Sequence, residues 1–157
     1  MLTIYTDGSC LNNGKTYALG GIGIYIPEKN FKYSQNSEEV YRSFFINEMV
    51  YIHTNQKSEL LAILKSLDLF KNSIENIIMI KTDSMYSINC IQKWSKSWLK
   101  NNWKTSAGKS VKNKEIIEKI LDTVKEMKQT IMFEHVKAHA DNENNNMADE
   151  LSRECLV

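Results

Sequence analysis

Two short stretches carry the residue types best suited to chemistry, Thr6-Asp7-Gly8-Ser9 and Thr82-Asp83-Ser84. Each follows a run rich in β-branched and apolar residues, Leu2 to Thr6 and Ile77 to Thr82. That pattern predicts two strands, each ended by its aspartate and followed by a turn. If the strands are parallel neighbours, Asp7 and Asp83 stand side by side at the sheet rim, where two carboxylates repel unless a cation joins them. Two further acids pose the same question. Glu59 falls in the first turns of a helix, flanking its apolar stripe, and Asp149 falls near the start of a last helix over Asn145 to Glu154. An Asp after a strand is by itself a turn residue, and an acid near a helix N-terminus is favourable without any function. The order strand-end Asp7, helix-start Glu59, strand-end Asp83, helix-start Asp149 gives the set its meaning.

The elements that must position these acids follow from pattern. After the first strand, Asn12-Asn13-Gly14 signals a turn, and Leu19 to Ile26, with three glycines in or beside it, predicts a strand with close backbone approaches. A polar loop is expected over Glu28 to Glu39, and a third strand over the apolar run Val40 to Ile52. Short connections between these three favour an antiparallel meander. Thr54 and Asn55 supply capping side chains for a helix whose inner face is Leu60, Ile63, Leu64, Leu67 and Phe70. A helix before the strand Ile77 to Thr82 is a crossover, so that strand should run parallel to another. Further helices are predicted over Met85 to Lys100 and Lys114 to Lys128, with an irregular basic loop between them, and a fifth strand over Ile131 to Val136. The expected fold class is α/β: a five-stranded mixed sheet, a three-strand antiparallel meander plus two parallel strands, flanked by helices.

A chain of 157 residues that is 42% hydrophobic is long enough to bury a core as one domain, residues 1–157, and its six glycines and single proline leave no flexible linker. Three cysteines without Cys-x-x-Cys spacing argue against a disulfide framework or a zinc site and for a reducing compartment. With no basic-then-apolar leader and no apolar run of about 20 residues, no membrane association and an intracellular location are expected. Charge is strongly two-sided: Lys93 to Lys114 carries +7 with no acid, leaving −6 for the rest of a chain whose net charge is +1. The same span holds Trp94, Trp98 and Trp103. Lysines interleaved with aromatics offer phosphate neutralisation and flat surfaces for sugars or bases, the chemistry of a nucleic-acid partner.

With these motifs in hand the sequence resembles the type 1 ribonuclease H family nearly end to end. The resemblance runs through Tyr-Thr-Asp-Gly-Ser (5 to 9), Thr-Asn-Gln-Lys-Ser-Glu-Leu (54 to 60), Thr-Asp-Ser-Met-Tyr-Ser-Ile-Asn (82 to 89), Trp-Lys-Thr-Ser-Ala-Gly-Lys (103 to 109), and His139 with Asp149. It looks closest to the eukaryotic-type catalytic domain, judging by Asn55-Gln56 and Thr105-Ser106-Ala107-Gly108-Lys109, and no segment matches the separate hybrid-binding domain many of those carry. The resemblance implies a ribonuclease H-like fold and a sequence-nonspecific endonuclease that cuts the RNA strand of RNA/DNA hybrids, an activity associated with DNA replication. It implies that Asp7, Glu59, Asp83 and Asp149 hold two Mg²⁺ ions, with Mn²⁺ able to substitute, and that His139 shuttles protons or assists product departure. Products would carry 5′-phosphate and 3′-hydroxyl ends, and the protein would act as a monomer.

For the nucleic acid, the resemblance assigns Thr54 and Asn113 to a DNA phosphate and Asn13, Asn55 and Gln56 to the RNA 2′-hydroxyl side. Tyr86, Trp94, Trp98 and Ser106 fall where the family lines its DNA channel, and Lys104, Lys109 and Lys112 belong to its basic protrusion. The chain departs from the pattern at Ile52, where a basic residue is common, and at Ala138, Ala140 and Asp141, where glycines are usual. His53 and His135 match no family role and are expected to be structural. A strand-transferase of the same fold would lack the basic protrusion and the Asp149 and His139 pair, and a non-catalytic hybrid-binding module would be expected to have lost a metal ligand.

Overall fold

A computed structural model describes residues 1–46, 50–138 and 142–156. Five strands form one mixed sheet: β1 (Leu2–Leu11), β2 (Leu19–Ile26), β3 (Phe31–Asn36), β4 (Ile77–Thr82) and β5 (Thr130–His135). Their order is β3-β2-β1-β4-β5, with β1–β2 and β2–β3 antiparallel and β1–β4 and β4–β5 parallel. The mixed sheet expected from the sequence is therefore present, with β4 the parallel neighbour of β1.

The third strand lies elsewhere than expected. β3 occupies Phe31–Asn36, inside the segment read as a loop, and Ser37–Phe44 is a helix, α1. Asn36 caps it: its Oδ1 accepts the Glu38 and Glu39 amides at 2.8 and 3.3 Å. Acids in the first turn and Arg42 in the last suit the helix dipole, and Val40, Tyr41 and Phe44 fall on one helical face. Residues 47–49 of the expected strand lie outside the described residues. β1 also runs on past Asp7 to Leu11, because Gly8 and Ser9 continue the ladder with β2, and the turn comes at Asn12, whose φ is 57°.

Helix α2 (Asn55–Phe70) is the centre of the core. Thr54 caps it by accepting the Lys57 amide, and Leu60 to Leu64 are all fully buried, since sheet, α1 and α5 (Lys114–Glu126) surround the helix. Each buried leucine or isoleucine among them contributes about 1.5–3 kcal/mol of transfer free energy. The expected helix over Met85 to Lys100 is α3 (Met85–Ile88), a π-helical turn (Asn89–Trp94) and α4 (Ser95–Lys100) in succession.

Helix α6 (Glu143–Glu154) lies across the other face of the sheet. A Cβ on Gly20 would meet Ser58 of α2 at 2.6 Å, whereas one on Gly21 or Gly23 would meet the Ser152 or Ala148 carbonyl oxygen of α6 at 2.1 Å. Alternate strand residues face opposite sides, so the two helices sandwich β2, and α6 rests directly on glycine backbone, the close approach expected of this strand.

Candidate active site

β1 pairs with β4 only as far as Thr6↔Thr82, while it stays paired with β2 to Leu11↔Leu19. The sheet therefore parts at Asp7, and there acids from both faces meet. Asp7, Glu59 and Asp83 each offer a carboxylate oxygen within 4.8 Å of the others. With Asp149 they line one open cleft of about 420 Å³ that also includes Ser9, Asn55, Gln56, Ser84 and Arg153.

Glu59 arrives from the second turn of α2, whose first turns sit so close to β1 that a Cβ on Gly8 would lie 2.3 Å from the Glu59 nitrogen. The Gly8 amide, just beyond the β1–β4 ladder, donates to Glu59 Oε1 at 3.0 Å, and Thr82 Oγ1 donates to Oε2 at 3.4 Å. Asp7 is 3% exposed. On its α6 side, Ser152 Oγ lies 3.5 Å from Asp7 Oδ2 and donates to the Asp149 carbonyl at 2.6 Å. Because α6 begins at Glu143, Asp149 falls mid-helix, later than expected, and Arg153 one turn on donates to its Oδ2 at 2.7 Å.

The electrostatics follow from this crowding. Burial, then the charges of Glu59 and Asp83, push the Asp7 carboxyl far above the usual carboxylate range. Burial pushes Glu59 up to about 7, with Asp83 adding to the rise and the Gly8 and Thr82 hydrogen bonds opposing it. Asp7 and Glu59 thus share a proton at neutral pH unless a cation neutralises them. Hard oxygen donors that cannot all ionise alone fit a divalent cation such as Mg²⁺.

The other sequence-predicted residues fall in two places. Asn13, Asn55 and Gln56 are exposed beside the cleft, with Asn13 Oδ1 accepting the Asn55 amide at 3.3 Å, and Thr54 is the α2 cap just below them. Tyr86, three residues past Asp83, begins a row of rings: Tyr86–Trp94 at 6.2 Å, Trp94–Trp98 at 6.0 Å and Trp98–Trp103 at 6.0 Å between centroids. Asn113, at φ 61°, donates to Tyr86 Oη at 3.0 Å. The basic loop is a tight hairpin: Lys104 bridges to Ser110, Thr105 bonds to Lys109, and Lys104, Ser106, Lys109 and Lys112 are exposed. Ile52 is 61% exposed. His139, Ala140 and Asp141 lie outside the described residues.

His53 is structural, as expected: its Nδ1 accepts the Gly20 amide at 2.8 Å and lies 3.2 Å from Ser37 Oγ, and burial lowers its pKa. His135 ends β5, exposed. Sequence reasoning missed Thr82 as a Glu59 partner, and Ser152 and Arg153. Only the Thr82-Asp83 pairing, repeated as Thr6-Asp7, pointed to any of them.

Among the described residues, no helix is long and apolar enough to cross a membrane. The chain is similar to the ribonuclease H of Clostridium botulinum (strain Hall), 39% identical over 154 residues that cover 98% of this chain and 93% of the relative. To the ribonuclease HI of Haemophilus influenzae (strain Rd) it is 34% identical, over 97% and 87% of the two chains. These relatives are bacterial, whereas the Asn-Gln and Thr-Ser-Ala-Gly-Lys motifs lead to an expectation of the eukaryotic-type domain. Among solved structures, the PFV RNase H domain superposes with a TM-score of 0.70 at 20% identity, over 96% and 91% of the two chains. The foamy viral protease-reverse transcriptase solved with dsDNA gives 0.72 at 23%, over 96% and 90%. Both share the fold of this chain. The RNase H family model matches residues 1–156, essentially the whole length on which the four acids, their strands and the basic hairpin were found, and by that match the chain belongs to the ribonuclease H family.

Proposed function

We propose that this protein is a single-domain, monomeric endonuclease that hydrolyses the RNA strand of RNA/DNA hybrids without sequence preference, leaving 5′-phosphate and 3′-hydroxyl ends. The observation that carries this reading is the carboxylate cluster at the parting of β1 and β4: three acids whose oxygens lie within 4.8 Å, and a fourth on the same cleft. Asp7, Glu59 and Asp83, with Asp149 on the same cleft, are the residues that would hold two divalent ions. When bound, two Mg²⁺ or Mn²⁺ ions would supply a polarised water and charge stabilisation for the leaving 3′ oxygen.

The chain's own residues do the rest. Gly8 and Thr82 fix both oxygens of Glu59, so the ligand is oriented before substrate arrives. Asn13, Asn55 and Gln56 present amides at the rim of the cleft, where donors and acceptors read 2′-hydroxyls and so distinguish RNA from DNA. The row Tyr86, Trp94, Trp98, with Ser106, Lys104, Lys109 and Lys112 on the hairpin side, offers stacking surfaces and positive charge to the DNA strand, whose phosphate would sit at Thr54 and Asn113. His139, as a near-neutral base, would carry protons at the site or help product leave.

The test is gel cleavage of an end-labelled hybrid beside matched duplex DNA and duplex RNA, with and without Mg²⁺. Cutting confined to the RNA of the hybrid and dependent on Mg²⁺ is expected. Equal cutting of duplex RNA, or cutting in the presence of chelator, would refute the assignment.

A further inference from the structure

One polar side chain at this site has no place in the reading above. Asn145, in the first turn of α6, is 2% exposed, and its Nδ2 donates to Asp83 Oδ2 at 3.3 Å across 62 residues of sequence. The Asn145 backbone amide donates to Oδ1 of the cap residue Asn142 at 3.0 Å, satisfying one of the free amides of the helix's first turn. Among the described residues its own Oδ1 is buried without a partner. A buried carboxamide that leaves its acceptor unmet while its donor meets a carboxylate costs stability. The compensating use is at the Asp83 end.

Asp83 has no other donor among the described residues, whereas Glu59 is held through both oxygens. Asp83 lies just past the end of β4, beyond the last ladder pair at Thr82. We infer that Asn145 is the positioning residue of Asp83: it fixes Oδ2, so that Oδ1 is the oxygen left for a cation shared with Asp7 and Glu59. This rests on the metal reading proposed above and adds to it a link between the start of α6 and a ligand on β4. Partners of this kind orient a metal ligand, and their loss typically weakens metal binding about 10- to 100-fold.

The experiment is calorimetric titration of Mg²⁺ into the full chain and four variants: Asn145→Ala, Asn145→Ser, Asn142→Ala and Asp83→Ala, with a thermal melt of each. Serine keeps a donor too short to reach Asp83 and serves if alanine does not fold. Asn142→Ala removes the cap of the same helix without touching Asp83, and so measures what helix loosening alone does. Expected is a 10- to 100-fold weaker Mg²⁺ constant for Asn145→Ala and Asn145→Ser, with an unchanged KM for hybrid, and a lowered melting temperature but wild-type Mg²⁺ constant for Asn142→Ala. Wild-type Mg²⁺ binding by the Asn145 variants, with Asp83→Ala impaired, overturns the inference and leaves the metal reading standing. Equal weakening by Asn142→Ala overturns it too, in favour of helix position alone. Wild-type binding by Asp83→Ala overturns the metal reading, and the inference with it.

Discussion

Without a bound cation the acid cluster should destabilise the protein as pH rises, by an amount set by its crowding. Glu59 is pushed from 4.5 to about 7, principally by burial. A carboxyl raised in the folded state holds its proton more tightly there than in the unfolded chain, so its stabilising contribution is complete below 4.5 and is lost as pH climbs through about 7. At roughly 1.4 kcal/mol per unit the loss from Glu59 is on the order of 3 kcal/mol, and Asp7, raised in the same direction, adds to it. His53 works in the opposite sense: burial lowers its folded pKa, so its contribution is present above the ordinary histidine value and fades as pH falls. Comparing wild type with Asp83→Asn separates the two, because the asparagine removes one charge from the cluster and leaves His53 alone. The assay is denaturant unfolding in EDTA at pH 5, 6, 7 and 8. Wild type should lose stability toward pH 8, Asp83→Asn should lose roughly 1 kcal/mol less, and Mg²⁺ at 100 times its dissociation constant should return about 2.7 kcal/mol to wild type at pH 8. Stability in EDTA that is flat or rising across this range, in both proteins, would refute the reasoning.

Other perturbations address the surface and the frame. Changing Lys104, Lys109 and Lys112 to alanine should raise KM far more than it lowers kcat, and should flatten the salt dependence of binding by roughly 0.7 to 0.9 log units per lost phosphate contact; an unchanged slope would make these lysines a solvated surface. Ile52→Arg should tighten hybrid binding by about 1 to 3 kcal/mol at low salt and less at high salt, read from affinities at two salt concentrations, since Ile52 is exposed two residues before Thr54. Gly23→Ala should cost about 1 to 3 kcal/mol and most of the activity, because its Cβ would lie 2.1 Å from the Ala148 carbonyl oxygen and must lift the helix that carries Asp149; a variant with wild-type melting and turnover would show that α6 tolerates the shift.

The parts of this protein that were legible in its sequence are those with a local signature. Asp7 and Asp83 stand out because the same Thr-Asp step ends two runs of β-formers, and α2 because its cap and apolar residues agree. The third strand was misread because Val40 to Ile52 is so densely apolar that strand and helix periods fit equally. The deciding signal is the cap Asn36 followed three residues later by Glu39. Gly8-Ser9 looks like a turn because glycine and serine favour one, yet glycine is there so that α2 can lie against β1. Thr82, Ser152, Arg153 and Asn145 were not legible as site residues, since each acts on an acid that only tertiary packing brings near it.

The most direct test of the central claim is cleavage of one RNA/DNA hybrid in Mg²⁺, labelled on both strands, by wild type and by folded Asp83→Asn. Cuts at many positions along the RNA, none in the DNA, and none on either strand with the variant are the expected result. Turnover by Asp83→Asn at the wild-type rate, or wild-type cuts in the DNA strand, would contradict it.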